Sequence, residues 1–373
     1  MMRPFLALLL SSGKQKEIKT MDENKNEKNL AEVIRKLTSV IVLLLFVILG
    51  LLIVLVHGVP DLTGKAPYRE VTVVQPKTKN PLTIAGLWKA PDTSTIPHSE
   101  LGALIRYGRE LVANTAYYLG PKGTVGHYSS GMNCQNCHLD AGTRPFAYNY
   151  SAVTALYPKF MVRTGRTTTI FRRVNDCFER SLNGHALDTN MKEMQAIKAY
   201  IEWLDQNSKK GEKPKGYGYL TLAFMDRAAD TAKGRMVFMD KCISCHGKDG
   251  MGMMKSDGMV YQYPPLWGDH SYNKGASFFW LTRFAGFVKA NMPYGQATYD
   301  NPVLTDEEAW DVAAYVDSRE RTMIDLRADW KNISDKPFDF PFGPYADSFT
   351  ESQHKYGPYS PIDEMKKKTA GTK

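Results

Sequence analysis

Five cysteines occur in the 373 residues, and four of them fall into two matching frames. Cys134-Gln135-Asn136-Cys137-His138 and Cys242-Ile243-Ser244-Cys245-His246 each set two thiols and an imidazole side by side. In that spacing the sulfurs can form thioethers with the vinyl groups of a haem, and the adjacent histidine can bind its iron. Zinc is the competing reading of paired Cys-x-x-Cys motifs, but such pairs usually stand about 15–20 residues apart and need no following histidine. Cys134, Cys137, Cys242 and Cys245 are therefore read as attachment points for two haem c groups, with His138 and His246 as the proximal iron ligands.

The sixth iron ligand decides what each haem can do, because axial ligation tunes its potential. In the second half the candidate is Met292, within Phe287-Val-Lys-Ala-Asn-Met-Pro-Tyr-Gly295, where a soft thioether favours reduced iron and raises the potential. Met251, Met253, Met254, Met259 and Lys289 compete with it, and a packed core methionine is the bland alternative. No Met-Pro segment follows His138 in the first half. What stands at a comparable distance is the fifth cysteine, Cys177, in Arg172-Arg-Val-Asn-Asp-Cys-Phe-Glu-Arg-Ser-Leu-Asn-Gly184. A coordinated thiol loses its proton and donates charge to the iron, so the first haem is expected to be the low-potential one. A buried inert cysteine, with Met161, His185 or Met194 as the ligand, is the other possibility. Arg163, Arg166, Arg172, Arg173 and Arg180 crowd the stretch around Cys177, where some of them would meet haem propionates or solvent.

The elements that must position these groups repeat. Leu101, Leu104, Ile105, Tyr107, Gly108, Leu111 and Val112 recur at helical spacing, with His98 or Ser99 as the start. A second amphipathic run, Met191 to Leu204, follows the first motif. In the second half Asp230 to Asp240 leads into the motif, and Thr305 to Val316 forms a capped helix after it. Between the halves lies a Lys/Gly/Pro-rich linker, Asn207 to Gly218. The expected plan is all-α: two tandem class I cytochrome c-like domains, at 85–206 and 228–321, joined by a linker at 207–227. The extension 322–373, rich in Pro, Tyr, Phe and Asp, shows no helix pattern and is expected to wrap the surface.

The chain opens with a polar segment (1–36), in which translation is expected to begin at Met21 rather than Met1. An apolar run at 37–57 is long enough to span a bilayer as a helix. No small-x-small cleavage site follows it, so an uncleaved transmembrane anchor is expected, then a stalk at 58–84. Arg35 and Lys36 precede the run, which by the positive-inside tendency leaves the remainder on the periplasmic side of the inner membrane. The formal net charge of +9 fits a nucleic acid, a membrane surface or an anionic substrate. No nucleic-acid motif accompanies it, so small anions are favoured.

Asn175-Asp-Cys-Phe-Glu-Arg-Ser-Leu-Asn-Gly184, set between two Cys-x-x-Cys-His motifs, resembles the dihaem thiosulfate dehydrogenase / tetrathionate reductase family. It is more distantly similar to the haem subunit of the sulfur-oxidising multienzyme system. The resemblance spans about residues 85–320 and says nothing of the anchor or the C-terminal tail. It implies His138/Cys177 ligation at the first haem and His246/Met292 at the second. It further implies Cys177 as the reacting thiol, with Arg163 and Arg173 binding the substrate anion. Two thiosulfates would be joined to tetrathionate, or tetrathionate split, with electrons exchanged through the second haem with an external cytochrome or similar partner. A plain membrane-anchored dihaem electron carrier, or an enzyme that conjugates thiosulfate to a carrier protein, are the other readings of the same motifs.

Overall fold

The computed structural model describes residue 32, residues 34–49 and residues 86–371. Two compact units divide the chain, Met1–Pro76 and Lys77–Lys373. In the first, a helix over 34–49 (α1) is exposed along its whole length. Among the described residues no helix is long and apolar enough to cross a membrane. Residues 50–57 of the expected anchor, the stalk, and both candidate start methionines lie outside the described residues.

The second unit holds both motif-bearing domains. In the first domain, α2 (Glu100–Ala113) starts at Ser99, whose side chain accepts from Gly102 N at 3.2 Å, and continues into the short α3 (Thr115–Leu119). Its buried face is Gly102, Ile105, Gly108, Leu111 and Val112, the spacing of one helical stripe. A hairpin of β1 (Lys159–Met161) and β2 (Arg166–Thr168) precedes α4 (Ile170–Asp176), which continues into a π-helical turn, Cys177–Ser181. Thr169 caps α4 from Arg172 N at 3.3 Å. The domain closes with α5 (Lys192–Leu204), which lays Met194, Ile197, Tyr200, Ile201 and Leu204 against α2.

The second domain repeats this plan. Its first helix is α6 (Thr231–Lys241), capped by Asp230 through the Ala232 and Lys233 amides. A small hairpin of β3 (Met253–Met254) and β4 (Tyr261–Tyr263) follows the motif. Then come α7 (Leu281–Asn291), which ends at Met292, and α8 (Asp306–Asp317). Thr305 and Glu308 form a reciprocal capping box on α8, with Asp306, Glu307 and Glu308 at the positive end of its dipole. The core here is aromatic, with Phe238, Phe278, Phe284, Phe287 and Trp310 all buried. Burying each such ring contributes roughly 1.5–3 kcal/mol.

The duplication is visible in one detail. A Cβ on Gly108 of α2 would stand 1.9 Å from the Ala196 carbonyl oxygen of α5, and one on Gly234 of α6 would stand 1.9 Å from that of Asp311 in α8. In each domain the first and last helices cross backbone to backbone at a glycine, which has no side chain to hold them apart.

The helix-dominated fold is the expected one, with two short hairpins added. Two other expectations are refined. The linker is exposed over most of 206–213, but from Gly216 it is bonded into the first domain: Phe146 N and Tyr148 N donate to the Gly216 and Gly218 carbonyls at 2.8 and 2.7 Å. The extension after 322 is not structureless. It forms α9 (Glu351–Tyr356), capped by Thr350, and α10 (Ser360–Gly371), with Pro361 in the first turn where a missing N–H is tolerated. Tyr359, Ile362 and His354 are buried, and Trp330 and Phe340 pack on Trp280 of the second domain. α9 spans only six residues, too few to show a helical period.

Candidate functional site

Cys134, Cys137, His138 and Cys177 line one cavity of about 120 Å³ in the first domain, with Tyr148, Tyr150, Tyr157, Arg173 and Tyr217. His138 donates through Nδ1 to the Tyr148 carbonyl, which leaves Nε2 as the metal-binding nitrogen. Burial lowers its pKa to about 4, keeping the imidazole neutral as a ligand must be. The motif thiols lie in the same dry environment, which pushes Cys134 up to about 12 and Cys137 higher still. Such an apolar setting suits a thioether rather than a free thiolate. Met161, His185 and Met194 do not line this cavity, and Met194 is fully buried in the α2–α5 core.

Cys177 reaches the cavity from the π-helical turn, where Leu182 N donates to the Cys177 carbonyl at 2.8 Å, five residues back. Arg173, four residues earlier on the same face, donates through Nη1 to Cys177 Sγ at 3.3 Å. The charge interaction with Cys177 is the main reason the Arg173 pKa stands above its ordinary value. Of the five arginines near Cys177, only Arg173 lines the cavity. Arg172 is paired with Asp176 and Glu179, at 2.8 and 2.6 Å, and Arg166 is exposed.

Arg163, expected on the substrate, is engaged elsewhere. Its guanidinium meets Asp329 of the C-terminal extension at 2.7 Å and donates to the Gly275 carbonyl at 3.1 Å. Arg180 binds the same carboxylate with both terminal nitrogens, at 2.9 and 3.0 Å. Burial and the neighbouring Arg180 push Arg163 down to about 10. Sequence spacing could not reveal this pairing, because Asp329 lies far along the chain in a stretch without a helical pattern.

The second cavity, of about 420 Å³, is lined by Cys242, Cys245, His246 and Met292 among Phe238, Phe284, Phe287 and Leu304. His246 repeats the orientation of His138, with Nδ1 donating to the Pro264 carbonyl at 2.8 Å, and burial again lowers its pKa. Lys289 is turned away, with Nζ 2.6 Å from the Leu304 carbonyl and 2.7 Å from Asp306. Met251, Met253, Met254 and Met259 do not line the cavity. Asn133, Cys137 and Leu139 of the first domain do, so Cys137 faces both cavities and the two sites adjoin.

Tyr148, Tyr150, Tyr217 and the carbonyl of Pro264 were not among the expected site residues. For Tyr148 and Tyr150, the tyrosines after the first motif were the only sequence signal.

Two family models match: "SoxA/TsdA, cytochrome c domain" over residues 126–209, and "Cytochrome c" over residues 231–320. Thiosulfate dehydrogenase of Psychrobacter arcticus is 39% identical over 254 residues, which cover 67% of this chain and 73% of that protein. The chain belongs to the thiosulfate dehydrogenase family. A second relative, thiosulfate dehydrogenase of Allochromatium vinosum, is 35% identical over 63% of this chain and 84% of its own. The solved "as isolated" thiosulfate dehydrogenase (TsdBA) of Marichromatium purpuratum superposes with a TM-score of 0.58 at 32% identity. That match covers 63% of this chain and half of the solved one. As in the thiosulfate dehydrogenase family, the two cytochrome c domains carry two covalently attached haem c groups. Convergence of two thiols and a carbonyl-oriented histidine on each cavity is the donor set such groups require.

Proposed function

We propose that this chain oxidises two thiosulfates to tetrathionate, with Cys177 as nucleophile and the second domain as the electron exit. One observation carries the reading: Cys177 shares a cavity with His138 and the motif thiols, and accepts a hydrogen bond from Arg173. His138 and Cys177 would hold the first iron, and His246 and Met292 the second. When bound, the haems supply one-electron acceptors for the two electrons released.

Arg173 binds the sulfonate end of a first thiosulfate, since its planar fork of donors matches the oxygens. A cation about 4 Å from an anion is worth on the order of 4 kcal/mol at an effective dielectric of 20, enough to offset much of the repulsion between dianions. Once displaced from the iron it would share with His138, the Cys177 thiolate joins the outer sulfur of the first thiosulfate, and the two electrons released as the S–S bond forms would be taken up one by each haem. A second thiosulfate then attacks the outer sulfur of that adduct. Tetrathionate departs and the Cys177 thiolate is regenerated. The same steps in reverse reduce tetrathionate, with the direction set by the two haem potentials.

The electron partner in this reading is an external cytochrome or similar carrier. The haem domains lie on the periplasmic side, and residues 37–57 serve as the membrane anchor. The apolar run behind Arg35 and Lys36 supports this, as does the need to attach c-type haems outside the cytoplasm. The test is turnover of purified holoenzyme with thiosulfate and ferricyanide, and with tetrathionate and a reduced dye. Cys177→Gly should lower both rates by more than about 100-fold. Full activity in that variant would reject Cys177 as the nucleophile.

A further inference from the structure

The turn that carries Cys177 is held from outside its own domain. Its geometry is π-helical, so the last carbonyls of the helix lack the usual intrahelical donors. Asn273 of the second domain supplies them: its Nδ2 donates to the Glu179 carbonyl at 2.8 Å and its backbone N to the Arg180 carbonyl at 3.1 Å. Asn273 is fully buried. On the side-chain side, Arg180 is bound at both nitrogens by Asp329 of the extension. The same carboxylate binds Arg163 in the turn between β1 and β2, and the next residue, Trp330, donates its backbone N to the Arg163 carbonyl at 2.7 Å. Asp329 is itself almost wholly buried and lies beyond residue 320, where the matched cytochrome c model ends.

We propose that Asp329 and Asn273 are positioning residues for Cys177, clamping its π-helical turn so that the thiol points into the cavity beside Arg173. The proposal rests on the reading of Cys177 as the reacting thiol. A π turn is a poorly bonded way to end a helix, and by itself it would open easily. The two outside grips keep the sulfur aimed while leaving the turn free of the rigid bonding of a regular helix. The C-terminal extension thus contributes to the first site without touching substrate.

In the holoenzyme the other four cysteines are consumed as thioethers, so Cys177 is the one thiol left to alkylate, and it labels only while it is off the iron it would share with His138. The test measures its labelling by iodoacetamide, residue by residue by mass spectrometry, alongside kcat and KM for thiosulfate. Asp329→Asn is expected to label about tenfold faster than wild type, as a loosened segment opens more often. Its kcat should fall while KM changes little, because Arg173 is untouched. Asn273→Ala, which removes the Nδ2 bond to the Glu179 carbonyl without removing a charge and leaves the backbone bond to Arg180 in place, should behave alike in direction. Asp329→Glu should restore slow labelling. Asp325→Asn, which breaks only an exposed pair with Arg327 on the same extension, should match wild type. Labelling at the wild-type rate in both Asp329→Asn and Asn273→Ala would overturn the proposal, as would equally fast labelling in Asp325→Asn. Turnover by Cys177→Gly would instead reject the proposed function, leaving the labelling rates as a separate result.

Discussion

At the scale of single residues, the pair Arg173–Cys177 concentrates the chemistry. The resemblance pointed to both Arg163 and Arg173; only Arg173, four residues before Cys177 on one helical face, meets the sulfur. An arginine's partner can sit anywhere in a folded chain, and Asp329 took Arg163. Arg173→Ala is expected to raise KM for thiosulfate about tenfold or more, the loss of one charge-assisted contact. Arg173→Lys should recover only part of that, since an ammonium lacks the fork. Steady-state kinetics at fixed ionic strength would decide it, and an unchanged KM in Arg173→Ala would remove this residue from the substrate site.

At the scale of elements, helices with an apolar stripe (α2 and α5) or a capping side chain (α2, α6 and α8) were readable to within a residue or so. The π turn, the hairpins and α7 were not, because their bonding depends on neighbours from other parts of the chain. The end of α8 gives a prediction of its own. Asp317 accepts from the Tyr272 hydroxyl at 2.9 Å and lies 3.5 Å from Arg321, yet burial raises its pKa to about 6. The folded chain therefore holds this proton more tightly than the unfolded chain, whose carboxyl titrates near 4. The resulting stabilisation is fully present below about pH 4 and is lost as pH rises through about 6, by about 3 kcal/mol at most. Asp317→Asn should flatten the stability profile between pH 4 and 7 in denaturant titrations. An unaltered slope would mean that the carboxyl titrates normally.

At the scale of the whole molecule, long-range attraction would assist capture of an anionic substrate at Arg173. The Debye length shrinks from about 30 Å at 0.01 M salt to about 3 Å at 1 M, so kcat/KM for thiosulfate should fall steeply across that range while kcat holds. A flat salt profile would confine the attraction to Arg173 itself. The two-domain plan was legible because its motifs and helices repeat. How closely the halves are joined was not, since no local pattern encodes a shared wall. Cys137 belongs to the first motif but also lines the cavity of the second. A duplicated module ordinarily builds the whole wall of its own cavity, and here part of the second wall comes from the first domain. A fragment beginning at the linker would leave one side of its haem open to water, and a chimera with a foreign first domain would inherit a misfitted lid.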